Sequence, residues 1–81
     1  MSGEAIGQEW LDTSTVELWD EWVLQAALIR IDEIAMIWPA GAPSGWEHLG
    51  GKYTWVLLRN GTQVRTATDY QQMRKILAGT A

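Results

Sequence analysis

The chain has no cysteine. That excludes a disulfide scaffold, a thiolate zinc site and a thiol nucleophile. Its one histidine, His48, leaves imidazole chemistry a single residue to rest on. No apolar run approaches the roughly 18 residues of a membrane span. No basic-then-apolar leader opens the sequence, so the expectation is a soluble cytoplasmic protein. Phenylalanine is absent too, and the aromatic content is six tryptophans and two tyrosines. With 81 residues, one domain is allowed, near the lower limit for a self-sufficient core.

Positive charge is scarce in the first half. Residues 1–47 hold nine acids and only Arg30 as a base, whereas residues 48–81 hold five bases (Lys52, Arg59, Arg65, Arg74, Lys75) and only Asp69 as an acid. An acidic total argues against a long nucleic-acid partner, which rewards a basic stripe along many phosphates. It leaves room for a small anion held by two or three of the clustered bases. The plainer reading is that the two halves neutralise each other, within or between subunits.

Residues 1–14 are polar, hold two glycines and show no sustained period, and read as a flexible N-terminal arm. Thr15 to Gln25 (TVELWDEWVLQ) alternates as a strand bent at Asp20-Glu21. Helix is the competitor, through a possible capping box at Ser14 and Glu17. Ala26 to Arg30 reads as a single turn before a second strand, Ile31 to Trp38, that Pro39 ends. The stretch 39–52 is an inserted loop with four glycines and both prolines. Tyr53 to Arg59 is a clear strand. A two-residue Asn60-Gly61 turn then pairs Leu57 with Val64, Trp55 with Thr66 and Val56 with Arg65. Asp69 with Gln72 caps a helix whose stripe is Tyr70, Met73, Ile76 and Leu77, stopped by Gly79. The expected fold is α+β: residues 15–81 form one domain, a small antiparallel sheet of about four strands with one C-terminal helix.

Several strands are apolar on both faces, and one helix covers one face. A second subunit is the natural cover for the other, so the chain is expected to be a homo-oligomer.

The segments WVLQAALIRIDEIA and YTWVLLRNGTQVRTATDYQQMRKIL, within residues 22–77, resemble the small flagellar FlbD-like proteins. That resemblance implies a strand and turn leading to an Ile-rich strand, then an Asn-Gly hairpin and a short helix. The departure is the insertion at 39–52. In size, composition and style the chain also resembles phage-encoded sponges that sequester cyclic-nucleotide signals of defence systems such as CBASS. That resemblance implies a non-enzymatic homo-oligomer that stacks bases on aromatics at subunit boundaries, in the host cytoplasm.

Catalysis has little to stand on. Asp20-Glu21 and Asp32-Glu33 are adjacent pairs, which a strand would point to opposite faces. Ser44 and His48 share a loop without a triad spacing. No GxxxxGK[ST] or GxGxxG motif is present. No enzyme, catalytic residue, metal or cofactor is therefore expected. Binding is better supported. Trp46, His48, Lys52 and Tyr53 cluster in or beside the loop, Trp38 precedes it, and Arg65 offers a fork for phosphate. These six are the candidate ligand-binding residues, and the ligand a small, planar, nucleotide-like anion. Against that, the plainer reading makes Trp38 and Trp55 core or subunit-interface residues and His48 a surface hydrogen-bonding residue. The alternative function is a protein-interaction or assembly adaptor in which the tryptophans are hot spots.

Overall fold

The computed structural model describes residues 4–6, 9–47 and 51–79. Six strands and one helix follow in order: β1 (Glu4–Ile6), β2 (Trp10–Leu18), β3 (Trp22–Arg30), a 3-10 turn (Ile31–Glu33), β4 (Ile34–Ala40), β5 (Tyr53–Leu58), β6 (Gln63–Thr66) and α1 (Tyr70–Gly79). The class is α+β with an antiparallel sheet and one C-terminal helix, and the strand number exceeds the four expected. The sheet is five strands wide, β3-β2-β6-β5-β4, with short β1 lying beside β2. β3 occupies one edge of β2 along its whole length, so β1 and β6 share the other.

Three differences from the expected elements account for the extra strands. Residues 4–6 and 10–14, read as an arm, belong to β1 and β2. The bend at Asp20-Glu21 is a hairpin turn over residues 19–21, which joins β2 to β3. Residues 26–30, read as a turn, are the second half of β3, and the turn itself comes at Ile31–Glu33. Apolar content on both faces hid this hairpin, because a one-residue change of period leaves either reading apolar.

Pro39 does not end its strand. It pairs with Thr54 inside β4, and the strand closes at Ala40. β4 is an edge strand, so a residue without an N–H costs no ladder bond on its open side. The loop between β4 and β5 therefore begins at Gly41.

A flat five-strand sheet would hold β3 and β4 roughly 19 Å apart. The four steps from Arg30 to Ile34 span at most about 14 Å. The sheet therefore curls, and backbone bonds fix the corner: Ile31 N–H donates to the Glu9 carbonyl, and Arg59 N–H to the Glu33 carbonyl. On the inner face Leu11, Ile29 and Val56 pack with Met73 of α1. Ile34, Ile37, Val64, Ile76 and Leu77 surround them, half-buried. Met73, Ile76 and Leu77 of the helical stripe read from the sequence face the sheet, whereas Tyr70 has Arg74 over its ring. Gly79 is not the left-handed stop expected; it lies within the helix without a positive φ.

Buried threonines fasten the entry to α1. The Thr13 and Thr68 hydroxyls lie 2.5 Å apart, Thr54 Oγ1 donates to the Thr68 carbonyl at 2.6 Å, and Thr66 Oγ1 donates to the Thr54 carbonyl at 3.0 Å. Each hydroxyl thus has a partner, which is what burial of a polar group requires.

Candidate functional site

The site is a product of register. The β5–β6 turn is a three-residue loop, not the two-residue turn expected. Gly61 N–H donates to the Leu58 carbonyl, Leu58 N–H donates to the Thr62 carbonyl, and Gly61 has a φ of 92°. This is a type I turn followed by a left-handed glycine bulge. Leu57 consequently pairs with Gln63, Val56 with Val64, and Trp55 with Arg65. The extra loop residue shifts the expected pairing by one position, which moves Arg65 from the face of Val56 to the face of Trp55.

Directly paired residues share a face, so the outer face carries one row across four strands: Trp38, Trp55, Arg65 and Val16. Trp38 and Trp55 stack, with centroids 6.4 Å apart and planes 23° apart. The Arg65 guanidinium carbon lies 4.7 Å from the Trp55 centroid and 5.4 Å from that of Trp22. Arg65 is thus held between two indoles, and its Nε and Nη1 are buried with no hydrogen-bond acceptor. Each ring contact contributes about 0.5–2 kcal/mol. Each orphaned charged N–H costs about 1–3 kcal/mol or more. For stability alone the arrangement is at best neutral; an added oxygen acceptor would change its sign.

Tyr53 is buried on the same side of β5, with Gly51 close against its ring. A Cβ at Gly51 would meet the Tyr53 hydroxyl at 3.6 Å. Lys52, between them, is exposed. Trp46 is half-buried in a tight turn: its N–H donates to the carbonyl of the fully buried Pro43, and Gly45 N–H donates to a Glu47 carboxylate oxygen at 2.9 Å. Of the six candidates, the structure gathers Trp38 and Arg65 around Trp55. Among the described residues no hydrogen bond, ion pair or ring contact joins Trp46 or Lys52 to that group. His48 lies outside the described residues. Trp22 and Trp55, which flank Arg65, were not among the candidates. Their alternation with Leu24 and Leu57 was legible; their meeting at Arg65 depends on the turn.

A second cation sits on an aromatic at the far end of the sheet. Arg30 lies 5.7 Å from the Trp10 centroid and donates from Nε to Asp32 at 3.0 Å. Asp32 raises the Arg30 pKa through that bond and its charge. Among the described residues this is the sole ion pair, and it lies within the acidic half. Between the two halves, Arg59 Nε donates to the Asp32 carbonyl at 2.6 Å. Also among the described residues, no cluster of three or more metal-ligating side chains occurs, and no helix is long and apolar enough to cross a membrane.

Compared with known protein families, curated proteins and solved structures, the chain matches none.

Proposed function

We propose that the chain is a binding module without turnover that sequesters a small planar anion on its outer sheet face. A cyclic or linear nucleotide is the class that uses every part of the site. The observation that carries this reading is Arg65, charged, wedged between Trp22 and Trp55, and lacking acceptors on two nitrogens. A phosphate supplies the missing oxygens in a charge-assisted, forked contact, while a base has the Trp38–Trp55 stack as a platform. Nε and Nη1 are covered, so a phosphate reaches them only when one indole turns aside. Lys52, exposed just before β5, is the further cation offered to the ligand. Capture of a nucleotide immune signal, in the manner of the phage sponges the chain resembles, is the biological form of this proposal. The FlbD-like resemblance is proposed as a kinship of fold alone.

The second reading is an assembly or interaction adaptor. It is favoured by large apolar side chains left more than half exposed, namely Leu18, Trp19, Leu24, Leu28 and Met36. Thermal-shift titration of the full chain with cyclic and linear nucleotides separates the two, because binding to the folded state raises the melting temperature. The expected result is a rise with at least one nucleotide, a change in tryptophan fluorescence, and loss of both in Arg65→Met. No shift with any nucleotide favours the adaptor. Consumption of the ligand on long incubation marks turnover and overturns the sponge.

A further inference from the structure

We infer that β3 is a self-pairing edge: two copies of the chain join β3 to β3, antiparallel, across a two-fold axis through Ala26. The starting point is an edge without protection. β3 pairs with β2 over nine consecutive residues, Trp22–Arg30, in unbroken register. Among the described residues nothing pairs with its other side. Long open edges are normally blunted by lysine, proline or a bulge. Residues 22–29 read WVLQAALI, with no charge and no proline, and the pairing with β2 contains no bulge. Leu24, Gln25, Ala26 and Leu28 are all exposed.

The strand is its own complement. A two-fold axis perpendicular to the sheet returns each face to itself, so it has to pass through a residue. Ala26 is the midpoint of Trp22–Arg30 and carries one of the smallest side chains of the strand. The resulting register sets Leu24 of one copy against Leu28 of the other, twice, on the outer face. These two leucines are 55% and 57% exposed in the single chain. The same register sets Trp22 against the second copy's Arg30. Charge at the strand ends does not set the register, because Arg30 is already paired with Asp32 of its own chain. Such an isologous contact closes after two copies, joining two five-strand sheets into one. It meets the proposed ligand site at Trp22 alone among the ring partners of Arg65, while the axis lies at Ala26.

The test is the mass of the full chain by light scattering and sedimentation, without nucleotide. Wild type is expected as a dimer at micromolar concentration. Ala26→Lys and Ala26→Glu each place like charges face to face on the axis and weaken self-association at least about tenfold; mixing the two variants restores the dimer. A monomeric wild type, or an assembly that both variants leave intact, overturns the proposal. Should the charged variants fail to fold, Ala26→Cys decides. The chain has no other thiol, so a disulfide-linked dimer under mild oxidation supports the axis and a free thiol refutes it.

Discussion

The Arg65 guanidinium lies 4.7 Å from the centre of the Trp55 ring, and the two residues are direct partners across β5 and β6. With Trp22 on the other side, the cation is surrounded by ring faces and short of acceptors.

That shortage makes Arg65 a poor contributor to stability. Arg65→Met keeps the length and apolar stem while removing the orphaned N–H groups, so the expected change in melting temperature is zero or upward. Arg65→Ala is expected to lower it, by opening the gap between the two indoles. Thermal denaturation followed by near-ultraviolet circular dichroism distinguishes the outcomes. A methionine variant several degrees less stable would show that the arginine is structural.

The threonine network makes the opposite prediction. Thr68→Val leaves the buried Thr13 hydroxyl without its partner and is expected to cost about 1–3 kcal/mol. Adding Thr13→Val removes the orphan, so the double variant is expected to be no less stable than the single one. Urea denaturation of the full double-mutant cycle measures the coupling, and simple additivity would refute it.

Glycine matters at the turn that sets the register. Gly61→Ala forces a Cβ into a left-handed conformation and is expected to cost about 1–2 kcal/mol. Gly41→Ala, with no positive φ and open space at its Cβ, is the control. It is expected to be neutral, or stabilising by up to about 1 kcal/mol. Equal losses at both sites would remove the turn assignment.

Met73 is the one fully buried side chain that α1 contributes to the core. Met73→Ala leaves a cavity under the helix at a cost of about 2–5 kcal/mol. A domain of this size has a total stability of roughly 4–12 kcal/mol, so the variant is expected to unfold partly at physiological temperature. Met73→Leu keeps the volume and is expected to cost less than about 1.5 kcal/mol. Chemical denaturation of both variants provides the check.

Local chemistry was legible wherever the determining residues are neighbours. Asn60-Gly61 marked the hairpin, and the spacing of Met73, Ile76 and Leu77 marked the helix and the face it packs on the sheet. The β2–β3 hairpin was not legible, because Trp19-Asp20-Glu21 carries no glycine or proline to announce a turn. Alternation on both sides of it reads as one bent strand. Nor was the extent of β4, since a proline is compatible with an edge and not with a centre, and edge position is a property of the assembled sheet.

The opening features of the sequence, no cysteine, one histidine and six tryptophans, determined that any site would be built from ring faces and a few cations. Which ring meets which cation was decided by the tertiary structure. A third residue in the β5–β6 loop shifts the pairing by one and exchanges the two faces of β6. Side chains alternate along a strand, so that single step carries Arg65 onto the tryptophan face. A composition cannot record it, because the turn type depends on the conformation that Gly61 adopts once the strands are paired.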